Sequence, residues 1–255
     1  MHTKMKPMFN EIIDMLVKSI YSFVVFVFIM TFLTCCKKKE EALPVKETGI
    51  VTDIENNTYK TIKIGNQWWM AENLKVTKFR NGVSIAQNQN AGDWQSVSSS
   101  SYCIYDNNTT APGLLYNFYV VVDTNIVAPI GWHVPSDEEW KILEKNLGMS
   151  SSEADKVSWR GNDEGEKLKI EAPQGWTTYG DVWATNESGF MALAGSCRLF
   201  NGTWGSPGLF ATGFWWTSTS ASNDGWYRYL DYKKTNVFRF YAPKNYGFSI
   251  RCVKD

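Results

Sequence analysis

Few residues of this chain are spaced for chemistry. His133 is one of only two histidines, and a Ser–His or Cys–His nucleophilic system in the folded part has to use it. It stands between Trp132 and Val134, just ahead of a helix cap, where a buried, hydrogen-bonded imidazole is the simpler expectation. Asp137, Glu138 and Glu139 place three carboxylates side by side. Glycoside hydrolysis needs two carboxylates facing each other across a sugar, roughly 5–10 Å apart. Neighbours in one helical turn point in different directions, and helix capping accounts for all three. One histidine and scattered cysteines offer no tetrahedral zinc set. Calcium stays open: Asp106-Asn107-Asn108, Asp181 with Asn186-Glu187, and Asn223-Asp224 supply hard oxygens, although such residues also form ordinary turns. No glycine-rich phosphate loop follows a strand. The expectation is a protein that is not an enzyme and has no resident cofactor.

The elements that position these residues are short. Gly131 to Trp140 contains the clearest one: Pro135 stops what precedes it, Ser136 caps a helix, and Glu139 closes a capping box. Trp140, Leu143 and Leu147 recur at helical spacing and Gly148 ends the run, so Asp137 to Leu147 is expected as one helix with a buried stripe. A second short helix is expected near Glu153–Trp159. Between Thr58 and Glu72, Ile62 and Ile64 alternate with Lys63, Gly65-Asn66 supplies a turn, and Trp68 and Met70 resume the alternation, which is a β-hairpin signal. Residues 84–101 read as a loop. From Thr185 onward, aromatic strand-like pieces alternate with Gly, Asn, Asp, Ser and Pro. No crossover helices intervene, so these pieces are expected to form antiparallel sheet. Composition alone supports an α+β chain that is mostly β; with these elements the expectation is mostly antiparallel β, with one or two short helices and long ordered loops.

Formal charge is balanced, with 26 basic and 26 acidic residues, and no basic stretch argues for nucleic acid as a partner. All 12 tryptophans lie beyond residue 36. Ahead of them, Ile20 to Leu33 is uncharged, preceded by Lys18. It is too short for a comfortable membrane span, which needs roughly 20 residues, and it fits the apolar core of a secretory signal. Leu33-Thr34-Cys35-Cys36 resembles a lipobox, with Cys36 as the expected acceptor of lipid and Cys35 as the alternative. Met15 is a second candidate start. The expected organisation is a signal peptide over 1–35, a lipidated cysteine and charged tether over 36–48, and one domain over 49–255. The protein is expected on the outer membrane or cell surface, with the membrane as partner through its lipid. Lys39-Glu40-Glu41 resembles the short surface-export tags of Bacteroidetes-type lipoproteins.

The domain also resembles a known family. YKTIKIGNQWWMAENL (59–74), YCIYDNN (102–108), GLLYNFY (113–119), PIGWHVPSDEEW (129–140), ATNESGFMAL (184–193), FWWTSTS (214–220), WYRYL (226–230) and GFSIRCVKD (247–255) follow the order of the Fibrobacter succinogenes major paralogous domain. That resemblance implies a C-type-lectin-like fold, close to the formylglycine-generating-enzyme variant. The close cysteine pair that those enzymes use is not reproduced, since Cys197 and Cys252 stand far apart in the chain. The family usually has Cys-Pro before its Gly-Trp-His, and a cysteine there would be the natural partner of Cys252. Here Ala128-Pro129 stands instead. Cys103, Cys197 and Cys252 remain, so one intrachain disulfide at most can form, with three pairings open.

In C-type-lectin-like folds late loops and strands carry recognition, which implies Ser220 to Gly247 as the ligand surface for a glycan or protein. Alternation lets only half of each strand face outward. Leu230 favours Trp226, Arg228 and Leu230 as the inward set, leaving Tyr227, Tyr229 and Asp231 outside. In the next strand Phe238 and Phe240 are expected inside, with Arg239 and Tyr241 outside.

Overall fold

Gly65 makes the first reversal. Its φ of 58° lies in the left-handed region, where a Cβ is penalised. With Asn66 it joins β2 (Thr58–Ile64) to β3 (Gln67–Met70). The computed structural model describes residues 11–24, 45–171 and 175–255. Two compact units are present, Met1–Val45 and Lys46–Asp255. In the first, residues 11–24 form helix α1. Among the described residues no helix is long and apolar enough to cross a membrane. The signal core leaves the described residues after Val24, and Cys35, Cys36 and the tether up to Pro44 lie outside them.

In the second unit, β1 (Thr48–Thr52) flanks the hairpin on one side. On the other come β12 (Val253–Lys254) and then β7 (Trp132–His133), giving a five-stranded sheet in the order β1-β2-β3-β12-β7. Ile62 pairs with Trp69 and Thr61 with Met70. Trp69, rather than Trp68 or Met70, therefore shares the face of Ile62 and Ile64. Tyr59 and Met70 join one buried cluster while Ile62, Ile64 and Trp69 join another, so core lies on both faces of this sheet.

Helix α4 (Asp137–Asn146) covers the second cluster. The capping box is formed, with the Ser136 hydroxyl accepting from the Glu139 N–H and the Glu139 carboxylate accepting from the Ser136 N–H. Trp140 is 1 % exposed and Leu143 fully buried. The Trp140 ring meets Trp69 at 5.0 Å and Phe190 at 5.5 Å, both edge-on. Leu147 is half-buried and ends the helix as its C-cap.

A four-stranded antiparallel sheet holds the later aromatic segments: β8 (Ser158–Arg160), β11 (Val237–Pro243), β10 (Asp224–Asp231) and β9 (Thr212–Ala221), in that order across the sheet. The helix expected near Glu153–Trp159 is corrected here. Helix α5 stops after one turn (Ser151–Ala154), and Ser158 turns the chain with a φ of 70°. Trp159 then pairs with Phe238, because an edge strand buries its ring better than an exposed helix would. The span expected as a loop carries β4 (Ala86–Gln87) and helix α2 (Ala91–Gln95), anchored by the fully buried Trp94. Conversely, residues 185–211 contribute isolated bridges rather than strands. Arg251 braces that segment by donating to the Phe190 and Met191 carbonyls and to the Asn73 side chain. The α+β class, mostly antiparallel with short helices, is as expected.

Candidate functional site

Strand register decides which of the expected surface residues can act together. Tyr227 pairs with Phe240 and Tyr229 with Phe238, whereas Arg228 pairs with Arg239 and Trp226 with Tyr241. Cross-strand partners share a face. Tyr227 and Tyr229 therefore lie on one side of the sheet, and Arg239 and Tyr241 belong to the other.

On the first side the tyrosines are packed. Tyr229 stacks on Phe214 at 4.5 Å and an 11° tilt, and Trp159 and Phe238 close around it. Its hydroxyl donates to Asp231. The other Asp231 oxygen accepts from the Lys233 N–H at 2.7 Å, so this carboxylate serves the β10–β11 turn. Tyr227 lies against Phe248 and Phe214. Burial raises both tyrosine pKa values, and Asp231 adds to the rise at Tyr229. The expected open surface is corrected for this face: Tyr227, Tyr229 and Asp231 are half-buried, because β9 and β11 supply aromatic neighbours. Phe238 and Phe240, expected inside, are half-buried beside them.

Arg239 is corrected outright, since it is buried at 6 % exposure. Its Nε and Nη2 donate to the two oxygens of Asp137 at 2.9 and 2.7 Å. Arg228, directly across the strand pair, donates from Nη1 to Asp137 Oδ1 and from Nε to Glu144 Oε1, each at 2.7 Å. Arg160 donates to the second Glu144 oxygen at 2.7 Å. Buried cations require such partners, and α4 presents its carboxylates towards this face. Burial opposes ionisation of Asp137, but its hydrogen bonds and charge pairing with Arg239 and Arg228 win and hold its pKa well below the usual range.

The same face opens at the β9–β10 hairpin. Asp224 and Trp226 stand two residues apart in β10 and so point the same way, with Tyr241 across from Trp226. With Ser222 and Asn223 of the turn they line an open cleft of about 530 Å³. Trp226 is fixed from behind, with the Arg239 guanidinium 3.9 Å from its ring centre. Tyr241, 42 % exposed, meets the Trp226 ring edge-on at 5.5 Å and 85°. On the opposite side Gly225 leaves room for the Phe118 ring, which any Cβ there would strike. Of the expected ligand residues only Tyr241 reaches this cleft. Alternation alone puts Trp226 inward and composition puts Asp224 among turn oxygens; their i, i+2 spacing beside a hairpin turn is the signal that joins them.

His133 is hydrogen-bonded as expected, but its side chain is 40 % exposed rather than buried. Nδ1 meets Asp255 at 2.7 Å and Nε2 meets Glu139 at 2.8 Å. Partial burial opposes protonation, but the hydrogen bonds to Asp255 and Glu139 outweigh it, and the pKa is raised. With carboxylates on both nitrogens, the ring has no acceptor to offer a nucleophile. Cys103, Cys197 and Cys252 are buried free thiols. Burial pushes Cys103 and Cys197 up to about 12 and raises Cys252 as well, so none is a ready thiolate. Ala128 and Cys252 share one buried cluster. Among the described residues no three His, Cys, Asp or Glu side chains are grouped to hold a metal ion. Asn186 uses its side-chain oxygen on the Met191 N–H.

No curated protein matches the chain, and no solved structure does either. The likeness to C-type lectins thus rests on the sequence resemblance. Residues 62–254 match the family model described as the Fibrobacter succinogenes major domain. That match covers most of the chain and includes helix α4, the whole four-stranded sheet and the hairpin cleft, and the chain belongs to the Fibrobacter succinogenes major domain family.

Proposed function

We propose that this domain is the ligand-binding module of a lipoprotein, anchored at the outer membrane or cell surface through lipid on Cys36, with Cys35 as the alternative acceptor. Its ligand is a glycan seated in the hairpin cleft. The observation that carries this reading is the fixed pair of perpendicular rings, Trp226 held by Arg239 and Tyr241 exposed beside it. Aromatic faces next to hydroxyl, amide and carboxylate groups suit a sugar, which has apolar C–H faces and a polar rim. The two occupied nitrogens of His133 and the raised cysteine thiols favour binding over catalysis. The test is a glycan array probed with the full-length protein in detergent. Selective retention on a defined set of saccharides, lost in Trp226→Ala, supports the reading. A blank array sinks it and favours an envelope protein without a soluble ligand.

A further inference from the structure

Charge narrows the ligand class. The cleft is lined by Ala221, Ser222, Asn223, Asp224, Trp226 and Tyr241, which include one carboxylate and no cationic side chain. Among the described residues the Asp224 carboxylate has neither an ion-pair nor a hydrogen-bond partner. Arg239, behind Trp226, is buried, and its guanidinium nitrogens are engaged by Asp137 and by the Asp155 and Lys156 carbonyls, so none is presented to the cleft. Two aromatic rings beside a lone carboxylate form a receptor for a cation: the ring faces attract positive charge through their quadrupoles, and the carboxylate accepts charge-assisted hydrogen bonds. Cross-strand pairing and the same-face rule place Asp224, Trp226 and Tyr241 on one side of the hairpin, so one group can meet all three.

Resting on the glycan-binding reading, we infer that the hairpin cleft recognises a saccharide bearing a free amino group, with the ammonium on Asp224 and the sugar ring against Trp226 and Tyr241. A neutral or N-acetylated sugar leaves Asp224 unpaired, and an acidic sugar is repelled by it. The preference weakens as salt rises, because the cleft is open to solvent.

Titration calorimetry of the full-length protein in detergent tests this with two probes of one skeleton. One is a β-1,4-linked glucosamine tetramer at a pH where its amines are protonated, and the other is its N-acetylated counterpart. The amine form is expected to bind about tenfold more tightly, the effect of one charge-assisted contact. Asp224→Asn, which keeps the side-chain shape, should equalise the two probes, whereas Tyr241→Ala should weaken both. Equal binding by the wild type overturns the charge assignment and leaves the glycan-binding reading standing. A preference that survives in Asp224→Asn overturns it too. If neither tetramer binds, the inference fails, and the glycan array decides separately whether the broader reading fails with it.

Discussion

Asp137 carries more of this domain than its position at a helix start suggests. It occupies the first turn of α4, where a carboxylate complements the helix dipole, and it also pairs with two buried arginines. Asp137→Asn is expected to destabilise the domain by about 3–5 kcal/mol, because it strands buried guanidinium charge. Trp140→Ala, which empties a site between Trp69 and Phe190, should cost about 3–5 kcal/mol. Chemical denaturation of each variant measures both losses, and a loss below about 1 kcal/mol, the size of a surface change, contradicts the assignment. The place of Asp137 in the first turn of a capped helix was legible in the sequence, because the Ser136–Glu139 capping box and its helix are local. Its tie to Arg239 was not, since the partner lies 102 residues away and an arginine alternating with phenylalanines reads as solvent-facing. The exposed Tyr241 was legible by simple alternation. Tyr227 and Tyr229 misled, because alternation within one strand says nothing about the aromatic neighbours brought by β9 and β11.

At the level of elements, local signals were sound and boundaries between strand and loop were not. The Gly65-Asn66 hairpin and helix α4 each have a complete set of turn or cap residues within a few positions. Residues 185–211 have aromatic, strand-like text but find only isolated pairings, with the late strands and Arg251 supplying their support. One junction between elements has a pH signature. His133 on β7 clasps Glu139 of α4 and Asp255 beyond β12, and its pKa is raised. A raised histidine contributes stability that is fully present below its unfolded value, roughly pH 6.5, and fades as pH rises through the folded value. The urea midpoint should therefore fall between about pH 6 and pH 9, and His133→Gln should flatten that slope. An unchanged slope in the variant would show that the clasp is not the source.

For the whole molecule, the central arrangement is a five-stranded sheet with core on both faces and a second sheet whose buried arginines dock on α4. That arrangement leaves the hairpin end of the second sheet free to present Trp226 and Tyr241. Membership of the family was legible from motif order along the chain, whereas the cleft needed the register of β10 and β11. The proposed anchor makes a separate prediction: labelled fatty acid should attach to the wild type and not to the Cys35→Ser/Cys36→Ser double variant. Label persisting on the double variant contradicts lipidation there. The central claim is that Tyr241 binds ligand while Tyr229 supports the fold. The decisive measurement is paired calorimetry and thermal melting of Tyr241→Ala and Tyr229→Ala with a glycan selected on the array. The account predicts that Tyr241→Ala loses about tenfold or more in affinity, the value of a good aromatic contact, with its melting temperature nearly unchanged, and that Tyr229→Ala melts clearly earlier. Full affinity in Tyr241→Ala, or a melting loss there equal to that of Tyr229→Ala, would contradict it.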